Sequence, residues 1–259
     1  MISSSRSKLL RSLQQKKYRD RHQLFVVEGE KMVGELTVKD PGHGFDLREI
    51  YATPEWIGKN QAHLSTIGLE VVEASTEEIK KVSSMVSPQN VLALVSKPEV
   101  PSGMEELLGH TVLAFESIRD PGNLGTIIRT ADWFGIKHIV CTPDSTDVYN
   151  PKVIQSTMGA FTRVKVFYRD LLDWLDTPDM KQKAVYGTYL EGENLYETNL
   201  REAPVILFGN ESRGLSDKLV GRAQSLISIP SFSEKGKGSE SLNVASSVAV
   251  ICSEIKRRT

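Results

Sequence analysis

Short, uninterrupted apolar runs recur along the second half of this chain, and they constrain its fold more than any other feature. Val112–Phe115 and Val205–Phe208 have no polar residue at any position. A strand with one face in water alternates, so runs of this kind belong to strands covered on both faces, as in a parallel sheet flanked by helices. His138–Cys141, Val164–Tyr168, Ala184–Tyr189 and Leu226–Ile229 read the same way. Asn243–Ile255 closes the series as a helix with Val244, Val248, Ile251 and Ile255 on one face. The expectation is an α/β domain built on a mostly parallel sheet.

The first half alternates on a smaller scale. A helix over 6–17 precedes a strand at Leu24–Val27, and a helix from Glu28 to Thr37 leads to a strand at Glu49–Ala52. Pro54 suits a first helical turn, and Ser75 followed by Glu77 and Glu78 reads as a capped helix start between strands at Leu69–Val72 and Val91–Val95. Lys97-Pro-Glu-Val-Pro-Ser-Gly103 breaks both periodicities. The division expected is a small α/β domain over 1–97, a linker over 98–109 and a catalytic domain over 110–259.

Several classes fall away. With 39% hydrophobic and 25% charged residues among 259, the chain has globular composition. No apolar run reaches the roughly 18 residues of a membrane span, and the start lacks a secretory core. Two cysteines make no disulfide framework, and no Cys or His cluster has metal-ligand spacing, so a reduced, cytoplasmic, metal-free protein without membrane attachment is expected. Gly42-His-Gly44 lacks the third glycine of a dinucleotide fingerprint, and Gly236-Lys-Gly238 lacks the Lys-Ser/Thr of a P-loop. There is no Gly-x-Ser-x-Gly elbow.

Charge is uneven. The whole chain carries −1, yet residues 1–31 hold eight Lys or Arg against three acids, a net +5, and the chain ends in Lys256-Arg-Arg258. Such a stripe is either a footprint for phosphates or a solvated helix face.

Three polar segments follow apolar runs directly. Glu116–Arg129 contains the turn Asp120-Pro-Gly122, with Asn123 placed to cap the next helix. Phe208-Gly-Asn-Glu-Ser-Arg-Gly-Leu215 offers glycines that admit a ligand to the backbone, or that simply turn the chain, beside the carboxylate of Glu211. Ile229–Ala245 brings Ser241 and Asn243 to the start of the last helix, where unpaired N–H groups suit an anion. Their common place after strands makes one composite site plausible at the carboxyl edge of the sheet.

In this order the segments resemble the three motifs of the SpoU (TrmH-type) branch of the SPOUT RNA methyltransferases: Asn123-x-Gly125-x-x-x-Arg129, Gly209-Asn-Glu-x-x-Gly214-Leu, and Ile229-Pro with Ser241-Leu-Asn-Val. Leu9-Leu, Lys17-Tyr-Arg19-Asp and Leu24-Phe-Val-Val-Glu-Gly-Glu-Lys31 are similar to the substrate-binding domain attached to many of these enzymes. The stretch from Phe232 to Glu240 is longer than the usual third motif, which bears on loop closure over residues 231–240.

The resemblance implies a deep trefoil knot in the C-terminal domain, S-adenosylmethionine as cofactor, and a homodimer formed through that domain. It implies methyl transfer to a ribose 2′-hydroxyl of rRNA or tRNA, the added N-terminal domain favouring rRNA. Arg129 would serve as base or as stabiliser of the developing alkoxide, with Asn123, Glu211, Ser241 and Asn243 arranging the reacting groups. Thr188, Gly209, Ile229, Leu242 and Asn243 would hold the cofactor. Arg11, Lys16, Lys17, Arg19 and Lys31 would contact RNA phosphates. The alternatives are an RNA-binding protein with a degenerate cofactor pocket, and a base-methylating SPOUT enzyme.

Overall fold

The computed structural model describes residues 1–37, 44–99, 105–233 and 239–258. Gly42-His43, Val100–Gly103, and the stretch 234–238 with Gly236-Lys-Gly238 lie outside the described residues. The chain forms two compact units, one of Met1–Glu99 with Asp147–Thr162 and one of Val100–Thr146 with Arg163–Thr259. The segment Asp147–Thr162, placed with the catalytic half from sequence, thus packs in the first unit.

That unit begins with α1 (Ser4–Ser12) and α2 (Lys16–His22), where the sequence suggested one helix over 6–17. The break has a local cause. Leu10 and Leu13 are drawn into the core, and the Arg19 guanidinium collects the freed carbonyls of Leu13 and Gln14, each at 2.9 Å. Then follow β1 (Leu24–Glu28), α3 (Glu30–Leu36), β2 (Asp46–Ala52), α4 (Pro54–Ile67), β3 (Val71–Glu73), α5 (Thr76–Val82) and β4 (Val91–Ser96). Thr53 caps α4 with Pro54 in its first turn, and Ser75 and Glu78 form a reciprocal capping box on α5. The sheet order is β1-β4-β2-β3, with only β2 and β3 parallel. Phe25 packs against Tyr149 (ring centroids 4.7 Å) and Phe161 (6.3 Å), which ties the helix α7 (Pro151–Thr157) and the turn after it to this core.

The second unit carries β5 (Val112–Phe115), α6 (Pro121–Trp133), β6 (His138–Cys141), β7 (Lys165–Tyr168), α8 (Leu171–Leu175), β8 (Val185–Asn194), β9 (Val205–Phe208), α9 (Asp217–Val220), β10 (Ser225–Ser228) and α10 (Val244–Arg258). The order is β10-β8-β9-β5-β6-β7, and every pairing is parallel. All four residues of β5, β6 and β9 are buried, as the uninterrupted apolar runs of β5 and β9 require, and β6 buries the polar His138 with its three apolar residues. β8 runs on past its expected end at Tyr189: its register against β10 jumps from Gly187 to Glu193, and a Cβ on Gly192 would lie 2.6 Å from the Leu226 carbonyl oxygen. No helix among the described residues is long and apolar enough to cross a membrane.

His138 opens β6 with its ring buried against His110 (5.1 Å between ring centres) and Phe167. Burial pushes its pKa down to about 4; Glu106, 3.8 Å away, pulls the other way, while His110, Lys165 and Lys137 add to the depression. The unfolded chain therefore binds more protons than the folded one between about pH 6.5 and 4, and stability falls as pH drops through that window. His138→Phe should flatten this part of the melting-temperature profile relative to the wild type; parallel profiles would show that His138 has no part in it.

Candidate active site

The three polar segments meet at the carboxyl edge of the second unit's sheet. Asp120, not Asn123, caps α6: its carboxylate accepts the Asn123 backbone N–H at 2.8 Å. This corrects the capping role expected for Asn123 and leaves its amide side chain for longer reach. Asn123 Nδ2 donates to Glu211 Oε1 at 3.2 Å, and Asn123 Oδ1 accepts from Asn243 Nδ2 at 3.0 Å. Asn243 in turn caps α10, its Oδ1 accepting the N–H groups of Ala245 (2.9 Å) and Ser246 (3.3 Å). One asparagine thus joins residues 88 and 120 positions downstream.

The loop bearing Glu211 is closed on itself. Asn210 and Gly214 exchange both backbone hydrogen bonds, at 3.0 and 2.9 Å. A Cβ on Gly209 would fall 2.0 Å from the Gly214 carbonyl carbon, so no other residue fits this closure. Sequence reasoning missed two residues here. Asn210 Nδ2 donates to the Ser117 carbonyl at 2.9 Å and lies 3.5 Å from Glu211 Oε2, and Glu116 accepts the Ser216 N–H at 2.8 Å. Both stand inside the quoted segments, but their partners are about a hundred residues away and leave no local signal. Beside them the hydroxyls of Ser117 and Thr142 hold the Asp144 carboxyl below the usual carboxylate range.

Gly209 and Ile229 directly follow the carboxyl ends of β9 and β10, and Thr188 lies within β8 just past Gly187, where its pairing with β9 ends. The backbone groups of Gly209, Ile229 and Leu242 make no hydrogen bond among the described residues. Free backbone donors and acceptors at a glycine-opened strand edge fit a ligand with the polar edges of adenosine and methionine. Thr188 is half-buried and Leu242 is exposed. Ser241 is exposed and makes no hydrogen bond among the described residues.

Arg129 stands apart. It is exposed, has no partner among the described residues, and lies six positions beyond Asn123 on α6. At 3.6 residues per turn, that is about 240° round the helix and about 9 Å along it. Thr126, Arg129 and Trp133 share one exposed face, on which Trp133 is 85% exposed.

Of the five cations expected to meet RNA, Arg11, Lys16, Lys17 and Lys31 are exposed on the first unit. Arg19 is not available. It is 2% exposed, pairs with Asp147 through Nε (2.9 Å) and Nη2 (2.6 Å), and gives Nη1 to the Leu13 and Gln14 carbonyls. Its donors are spent inside the unit, so it is a structural residue.

Comparison with known proteins agrees with this geometry. The SpoU rRNA Methylase family matches over residues 110–253, and an MRM3-like substrate binding domain over 5–93. The 23S rRNA (guanosine(2553)-2′-O)-methyltransferase RlmP of Bacillus subtilis is 30% identical, covering 93% of this chain and 92% of its own. A TrmH-family structure from Porphyromonas gingivalis superposes with a TM-score of 0.85 at 35% identity over the whole of both chains. An AdoMet-bound rRNA methyltransferase from Sinorhizobium meliloti gives 0.81 at 27% identity, over 100% of this chain and 97% of that one. With more than half its length matched by one family and its motifs gathered at one edge of the sheet, the chain belongs to the SpoU rRNA methylase family.

Proposed function

We propose that this protein transfers the methyl group of S-adenosylmethionine to a ribose 2′-hydroxyl of ribosomal RNA. The observation that carries the reading is the pair of hydrogen bonds by which Asn123 joins Glu211 and Asn243, bringing three distant segments into one polar centre. Thr188 within β8, and Gly209 and Ile229 just past β9 and β10, would hold the cofactor together with Leu242 and Asn243. The bound cofactor supplies an electrophilic methyl on a sulfonium, so the protein's task is largely positioning. Glu211, held on one oxygen by Asn123 and approached on the other by Asn210, accepts hydrogen bonds from the ribose. Ser241 is the free hydroxyl nearest in sequence to Asn243 and completes the polar wall. Arg129, an exposed cation, grips the phosphate next to the target and stabilises charge growing on the attacking oxygen.

Arg129 lies about 120° round α6 from Asn123 by the shorter way, which turns it away from its own subunit's centre. The reading is therefore a homodimer, paired through the face of Thr126, Arg129 and Trp133, in which Arg129 serves the partner subunit. An aromatic side chain 85% exposed beside an arginine is the composition of an interface anchor. The first unit captures RNA through Arg11, Lys16, Lys17 and Lys31, with 1–97 as the RNA-binding domain and 110–259 as the catalytic one. The buried free thiols Cys141 and Cys252 support a reducing compartment, the cytoplasm.

Incubation with methyl-labelled S-adenosylmethionine and total rRNA, followed by nucleoside analysis, tests the reading. Label is expected in one 2′-O-methylnucleoside. Label in a methylated base, or cofactor binding without transfer, would overturn it in favour of a base methyltransferase or a non-catalytic binder.

A further inference from the structure

At the edge of the six-stranded sheet opposite the candidate active site, where the strands begin, lies a cavity of about 440 Å³. His110 and Thr111 bound it before β5, Lys137 before β6, Arg201 and Pro204 before β9, and Lys256 near the end of α10. Its charged lining is four cations, Arg258 being the fourth, against the single carboxylate of Glu202.

Basic residues at helix ends often do no more than neutralise terminal carbonyls, and Arg258 does this. It pairs with Glu254 and donates to the carbonyls of Leu195 (2.8 Å) and Thr198. Lys137 and Arg201 belong to neither helix, and their side chains have no hydrogen bond or ion pair among the described residues.

The wall that carries Arg201 is fixed. Arg258 ties down Leu195 and Thr198, and the Tyr186 hydroxyl donates to the Asn199 carbonyl (3.4 Å) while accepting the Arg201 N–H (3.1 Å). Ala203 completes the turn at a φ of +47°, a left-handed conformation that costs a residue with a Cβ. Two uncommitted cations are thereby presented at the rim of a nucleotide-sized cavity, with the exposed imidazole of His110 on its wall.

We propose that this cavity takes one nucleotide of the RNA substrate, its phosphate between Lys137 and Arg201 and its base against His110. The inference rests on RNA being the substrate and adds a second contact site on the catalytic unit. From Thr111 to Glu116 is five residues of strand, about 16 Å, so RNA engaged at both edges reaches at least that far across the sheet.

The test uses the full chain, a labelled rRNA transcript and a salt titration. Lys137→Ala/Arg201→Ala should weaken RNA binding about 10-fold near 0.1 M salt and flatten the log–log salt slope by about one. His110→Ala should weaken binding without changing the slope. S-adenosylmethionine affinity by calorimetry should stay at the wild-type value in both, and the melting temperature should stay there in the double variant. Unchanged RNA affinity and slope in the double variant would overturn the pocket alone. So would AMP binding that the double variant loses while its RNA affinity is intact, since the cavity would then serve a free nucleotide. No RNA binding by the wild type would overturn the proposed function and this inference together.

Discussion

Arg129→Ala is expected to lower methyl transfer by about 10²–10³-fold while leaving S-adenosylmethionine affinity within about a factor of two of wild type. The side chain is exposed, makes no hydrogen bond or ion pair among the described residues, and lies about 120° round α6 from Asn123. Its removal should therefore cost transition-state stabilisation and little stability. Glu211→Ala should be comparably inactive. Mixing the two dead proteins separates the dimeric reading from its rivals. If Arg129 serves the partner subunit, a mixed dimer has one site with both lesions and one with neither, so random exchange restores up to about a quarter of wild-type activity. If Arg129 works in its own subunit, every site in the mixture stays broken and nothing is recovered. A monomer in sedimentation would also remove the dimeric reading.

Arg19→Ala is expected to destabilise the first unit by about 3–5 kcal/mol, because it strands a buried Asp147 and two carbonyls at the α1–α2 break. The melting midpoint should fall by about 10 °C. Arg19→Lys should rescue little, since an ammonium cannot hold Asp147 through two nitrogens and also reach both carbonyls. Replacing both partners, as Arg19→Met with Asp147→Leu, should recover much of the loss, since no unpaired charge then remains. A midpoint for Arg19→Ala within 2 °C or so of wild type would mean that the pair contributes nothing net.

The contrast between these two arginines shows what was legible in the sequence. Both sat among residues that suggested contact with RNA or with the reaction, and charge alone could not separate them. Arg19 is committed by Asp147, 128 positions downstream, and no local pattern announces a partner so distant. Strands β5 and β9 were readable to the residue because burial on both faces leaves an uninterrupted apolar run, and β6 because only its first residue, His138, is polar. Helices α8 and α9, of five and four residues, are too short to show a period. At the site, the three segments could be named, and their convergence expected from position after strands. The division of labour between Asp120 and Asn123 could not, because both are good caps and the proline at the first helical position settles which one acts.

The chain passes between its two units three times: after Glu99, after Thr146 and after Thr162. No single cut releases either one. A truncation at residue 97 would remove the β1 and α1–α2 partners of Asp147–Thr162, leaving Ile154 and Phe161 without the core they fill and Asp147 without its arginine. Such a fragment would aggregate through its bared apolar surface, and a failure to bind RNA would say nothing about phosphate contacts. Charge reversal at Lys16 and Lys17, both exposed, removes those contacts and leaves the interleaved scaffold whole.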